Sequence, residues 1–127
     1  MHKSKLVTAV IDCQDKDLID ATRFWSAALG RKADPADDPA TEKYVRIGSG
    51  NEELIVLLQK VSHASRVHLD IETDDIEAEV ARLERLGARR IEKIKTWWVM
   101  EAPTGHRFCV VRPQRNGAMP DDANEWS

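Results

Sequence analysis

The first strong pattern lies in residues 5–13, Lys-Leu-Val-Thr-Ala-Val-Ile-Asp-Cys, where β-branched and small apolar residues occupy both alternating faces. This predicts a strand covered on both sides. Asp15 and Asp17 then supply acidic helix-start signals, and Gly30 supplies the residue that ends the helix. Between them Leu18, Ala21, Trp25, Ala28 and Leu29 recur at three-to-four spacing, which predicts a helix lying on a sheet with Phe24 and Trp25 in the core. Residues 33–42 carry two prolines and four acidic groups and predict a solvated loop, with room for a short strand before them. Lys43 to Ile47 alternates as a half-buried strand, Gly48 to Asn51 is turn chemistry, and Glu53 to Gln59 predicts the partner strand of a hairpin.

The second half repeats this order. Arg66 to Glu72 alternates strictly, with Val67, Leu69 and Ile71 on one face and Arg66, His68, Asp70 and Glu72 on the other. Asp74 followed by Glu77 predicts a capping box, and Ile76, Val80 and Leu83 form the helix stripe before Leu86-Gly87. Strands are expected near 88–94, 96–101 and 107–112, with a turn at Pro103-Thr104-Gly105. The helix-ending glycines Gly30 and Gly87 stand 57 positions apart, so the chain reads as two copies of one βαβββ unit. One such unit cannot bury both faces of its own sheet. The predicted fold is therefore α+β, two tandem βαβββ modules (about 5–59 and 64–112) whose curved sheets enclose a shared cleft, in a single domain over 1–112. The tail, 113–127, lacks a period and is expected to be loop-like, with Trp126 available to dock on the body or on a second subunit.

Composition narrows the function classes. The 127 residues are 42% hydrophobic and 32% charged, as in a globular protein, and the net charge of −3 gives no general attraction to nucleic acid. The longest uncharged apolar run, near Leu54 to Leu58, is too short for a bilayer, and no secretory leader pattern precedes the first strand. A cytoplasmic protein is expected. Cys13 and Cys109 sit in no metal-binding or redox motif and read as small buried apolar residues.

Several segments together resemble a known family: Asp12-Cys13, Phe24-Trp25 with Leu29-Gly30, Arg66 to Ile71, Ala81 to Ala88, and Ala102 to Val111. Across residues 5–112 they look like the glyoxalase-like branch of the vicinal oxygen chelate superfamily, which includes glyoxalase I, epimerases, extradiol dioxygenases and antibiotic-binding proteins. The resemblance implies a site between two paired modules. In metal-dependent members, His, Gln or Glu ligands on the first and last strands hold a divalent ion, which acts as a Lewis acid on vicinal oxygens.

On this resemblance His68 matches the histidine ligand of the second module. Its structural alternative is an imidazole hydrogen-bonded inside the barrel. The first-strand counterpart is Ala9 or Ile11, neither able to ligate, and Arg107 stands where the family often has a glutamate. Glu53 could supply one more oxygen, which leaves His68 and Glu53 as an incomplete metal set. Arg107 reads instead as a holder of carboxylate or phosphate, or as one half of a salt bridge to Asp70, Glu72 or Glu53. Asp70 serves as an acid or base beside His68, or orients it. Adjacent Trp97 and Trp98 must point to opposite faces, which leaves Trp97 a candidate for stacking on a ligand. His63 and His106 read as surface residues.

Three readings stay open. The favoured one is a small-molecule-binding protein with a degenerate metal site, taking a small anionic or polar organic ligand through His68, Asp70, Arg107 and Trp97. No cofactor is expected in it. The second is a divalent-metal-dependent lyase, isomerase or dioxygenase, and the third a ligand-free dimerisation or regulatory domain. A homodimer is expected from the family and from exposed strand edges.

Overall fold

In the computed structural model, which describes residues 1–49, 52–114 and 117–127, both predicted modules are present and fall into two compact units. Gly50 and Asn51 of the predicted turn lie outside the described residues.

The unit formed by residues 8–68 holds most of β1 (His2–Gln14), then α1 (Ile19–Leu29), β2 (Tyr44–Ile47) and β3 (Ile55–Val61). β1 pairs in parallel with β3 from Thr8↔Ile55 to Gln14↔Val61, and β2 runs antiparallel on the other edge of β3. The strand expected before β2 is reduced to one bridge, Ala33↔Ile47, closed by hydrogen bonds from Asp34 N to Arg46 O and from Gly48 N to Lys32 O. Proline and acidic residues directly after Ala33 prevent the pairing from extending. Cys13, Leu18, Val45, Ile47, Val56 and Leu58 form the core, with Ile11, Ala21 and Trp25 packed against it.

α1 differs from expectation at Phe24, Ala28 and Leu29, all of them exposed. Phe24 is 61% exposed and Leu29 44%, although Trp25 packs inward. The sheet beneath α1 is narrow, so it covers only the stripe through Leu18, Ala21 and Trp25; Phe24 lies about a quarter-turn away and packs its ring edge to face on Trp25 at 5.0 Å. Leu18 precedes the helix rather than belonging to it, and is fully buried. Asp17 Oδ1 accepts from Ile19 N at 3.0 Å, and Gly30 closes the helix in the left-handed region with φ 66°.

The second unit comprises residues 1–7 and 69–127. It contains most of β4 (Arg66–Thr73), then α2 (Ile76–Arg85), β5 (Arg89–Ile94), β6 (Trp97–Glu101), β7 (Arg107–Val111) and β8 (Asn124–Trp126). β5, β6 and β7 form an antiparallel meander, and β7 returns parallel to β4 from Leu69↔Phe108 to Glu72↔Val111. The parallel closure of last strand on first strand is the one seen between β1 and β3. Val80, Leu83, Met100 and Val110 make the core.

Two expectations are corrected here. The cap of α2 is Asp75, whose side chain accepts from Ala78 N at 3.1 Å; Asp74 instead accepts from Lys3 N, and Glu77 bonds to Arg90 and Trp98. The tail is not all loop: β8 pairs antiparallel with His2–Ser4, and Trp126 Nε1 donates to Ser4 Oγ at 2.8 Å. On β4 the faces alternate as expected, yet Val67 is 60% and Leu69 43% exposed, whereas His68 and Asp70 are half-buried and Glu72 is buried. The polar face of this strand is the enclosed one.

Candidate functional site

In the first unit the enclosed polar face starts from two strands. β1 is held by seven parallel pairs to β3, which place Asp12 opposite Gln59. From β4, His68 donates from Nδ1 to Asp12 Oδ2 at 2.8 Å, and Arg66 Nε lies 3.8 Å from the same oxygen. Asp12 is 2% exposed, and the side chain of His68 is 12% exposed. A buried carboxylate is costly unless it is paired, so the imidazole and guanidinium account for its presence in a stretch that holds no other charge. In return the carboxylate orients the ring and places the proton on Nδ1, which makes Nε2 the acceptor of the neutral form. Asp12 was missed as a site residue. Its signal was available: it is the only charged residue between Leu6 and Cys13.

In the second unit Asp70 on β4 stands directly opposite Cys109 on β7, which sets a carboxylate beside a thiol. Glu72, two residues further on, accepts from Gln114 N at 3.2 Å. Arg107 pairs with neither Asp70, Glu72 nor Glu53. Its Nε lies 3.2 Å from Glu101 Oε2, its register partner on β6, and Arg89 contacts the same oxygen at 3.2 Å. The cross-strand neighbour is already in place when the meander forms, which explains the choice of partner. Two arginines on one carboxylate leave a net positive charge at this strand end.

Trp97 is half-buried at the start of β6. Trp98 faces α2, where its Nε1 donates to Glu77 Oε2 at 3.1 Å and the Arg90 guanidinium lies 5.0 Å from its ring. The hydrogen bonds from Arg90 and Trp98 hold the Glu77 carboxyl below its ordinary range. Glu53 lies before β3 rather than on it, in an exposed bend. Both cysteines are free; burial, followed by Asp12 and Asp15, pushes the Cys13 thiol up, so it is a packing residue and not a nucleophile. His63 and His106 are exposed, as expected.

With this geometry established, comparison with known proteins decides the family. A family model described as glyoxalase-like domain matches residues 8–111. The chain belongs to the glyoxalase-like domain family. No curated protein matches it by sequence.

Solved structures of the wider glyoxalase, bleomycin resistance and dioxygenase superfamily share the fold of this glyoxalase-like protein. A superfamily member from Vibrio splendidus is 19% identical with a TM-score of 0.51, covering 84% of this chain and 98% of the other. Methylmalonyl-CoA epimerase from Streptomyces coelicolor is 14% identical with a TM-score of 0.53, covering 91% and 98%. Homoprotocatechuate 2,3-dioxygenase from Brevibacterium fuscum is 14% identical with a TM-score of 0.55; the match covers 85% of this chain but 36% of the dioxygenase. At these identities the likeness concerns the fold, on which many chemistries are built. Among the described residues no helix is long and apolar enough to cross a membrane.

Proposed function

We propose that this glyoxalase-like protein binds a small anionic or polar organic molecule at the polar face of β4, with His68 as the principal contact. The observation that carries the reading is the Asp12–His68 hydrogen bond at 2.8 Å with a nearly fully buried carboxylate. A carboxylate in this position holds the imidazole in one orientation. The oriented ring can therefore donate to an anionic ligand as imidazolium or accept from a hydroxyl as neutral imidazole. Arg107 and Trp97 are the further contacts proposed from sequence. Calorimetric titration with a panel of small mono- and dicarboxylates tests this. Binding that falls at least tenfold in His68→Ala, with the far-ultraviolet circular dichroism of the folded protein retained, supports the reading. A ligand bound equally well by His68→Ala refutes it.

A second reading is favoured by the pairing of Asp70 with Cys109 on neighbouring strands of one unit. Carboxylate and thiol are donors that zinc or ferrous ion takes, so these two residue types fit a divalent ion. When bound, such an ion would supply Lewis-acid chemistry. Asp70 and Cys109 would provide donors. Titration with cobalt(II) distinguishes the readings: thiolate-to-metal charge-transfer absorption that is lost in Cys109→Ser and weakened in Asp70→Asn establishes the metal-binding reading, and its absence at millimolar cobalt removes it.

A further inference from the structure

We infer that the unit formed by residues 8–68 carries a second binding site, an anion-binding groove of about 570 Å³ at the end of its sheet. It is an open groove rather than an enclosed cavity. None of His68, Asp70, Arg107 and Trp97 lines it. Three lysines from separate segments converge on it: Lys16 after β1, Lys43 before β2, and Lys60 on β3. The backbone fixes two of them as neighbours, since Lys60 N donates to Lys43 O at 2.9 Å.

Among the described residues, none of the three ammonium groups lies in an ion pair, although elsewhere in the chain Lys3, Lys5 and six arginines do. The single acid lining the groove is Asp15, whose Oδ1 accepts from the backbone N–H of Lys16 at 2.7 Å. The local charge is therefore positive in a chain whose net charge is −3. Like charges gathered on a concave wall raise the local concentration of anions.

Neutral donors share the wall. Ser62 lines it, and so does Gln59, whose amide donates to the Tyr44 hydroxyl at 3.3 Å. His63 donates from Nδ1 to Ala64 O at 2.8 Å, so Nε2 accepts from Arg66 at 3.3 Å and draws that guanidinium toward the rim. Lysines grip phosphate and carboxylate as point charges without the planar fork of arginine. The ligand class is thus a small polyanion with two or more phosphate or carboxylate groups.

The test uses inorganic pyrophosphate and citrate as probes on the full chain, by calorimetry and by backbone amide spectra at low and at physiological salt. Saturable binding that weakens with salt, shifts amides of Lys16, Lys43 and 59–63, and falls at least tenfold in Lys43→Ala/Lys60→Ala supports the site. Lys32→Ala/Lys93→Ala removes the same charge elsewhere and should leave affinity within twofold. His68→Ala should also leave it unchanged, which separates this site from the one proposed above. No binding of either probe at millimolar concentration overturns the inference, as does an equal loss in the Lys32/Lys93 variant or loss of all binding in His68→Ala.

Discussion

Glu79 offers the most direct quantitative test of how the second unit is held together. Its side chain is fully buried on α2, where Arg82 donates from Nε and Nη2 to its two oxygens at 2.8 Å each and His2 Nε2 lies 2.8 Å from Oε1. Arg82 also stacks on Trp126 at 3.9 Å, and Trp126 donates to Ser4. One buried carboxylate thus ties α2 to the first residues of β1 and to β8. Glu79→Ala removes it and leaves Arg82 and His2 without their partner. Breaking a buried pair in this way costs about 3–5 kcal/mol. The Arg82 side chain is 20% exposed and keeps its aromatic partner, which sets the expectation near the lower end, at about 3 kcal/mol. For a chain of 127 residues this corresponds to a melting temperature lower by roughly 10–15 °C.

The pH dependence of the same network has a definite sign. Burial raises the Glu79 carboxyl, but hydrogen bonds from Arg82, His2 and Ser4 outweigh it and hold the group below its ordinary value. The folded value lies below the unfolded one, so the stabilisation is complete above the unfolded pKa of about 4.3 and is lost as pH falls through the folded value. Urea denaturation of both proteins at pH 7 and in a series down to pH 3 measures this. The gap between wild type and Glu79→Ala should be widest at pH 7 and should narrow below about pH 4. A gap under about 1 kcal/mol at pH 7, or one that does not change with pH, would refute the network argument.

Other expectations follow from the same coordinates. Asp12→Asn replaces the carboxylate that orients His68 and should weaken ligand binding there by about 10–100-fold with little change in far-ultraviolet circular dichroism; unchanged affinity in calorimetry would show that the 2.8 Å contact has no functional role. Leu58→Ala, at a fully buried position on β3, should cost about 2–5 kcal/mol in urea denaturation, whereas Phe24→Ala, 61% exposed, should cost less than about 1 kcal/mol. The reverse order would contradict the packing of α1. Trp126→Ala removes the ring on Arg82 and the bond to Ser4 and should expose the amides of residues 2–4 to faster hydrogen exchange, read by mass spectrometry.

Local pattern alone determined the order of elements in both modules. A period of two or of 3.6 is a property of consecutive residues, and helix-ending glycines 57 positions apart expose the repeat without any contact being known. The stripe Ile76, Val80, Leu83 and the meander of β5, β6 and β7 were legible for this reason. His68 and Asp70 could likewise be placed on one face of a strand. Which face would be enclosed was not legible, because Val67 and Leu69 are exposed only through what fails to cover them. Arg107 found Glu101, and not a carboxylate of β4, because antiparallel register brings residues far apart in sequence to directly opposite positions. Asp12 with His68, and Glu79 with His2 and Ser4, are separated by dozens of residues and carry no shared motif. A polar residue in an apolar run shows only that a partner is needed to offset its desolvation. The identity of that partner is decided by tertiary packing, since hydrogen bonds act over about 3 Å in space irrespective of distance along the chain.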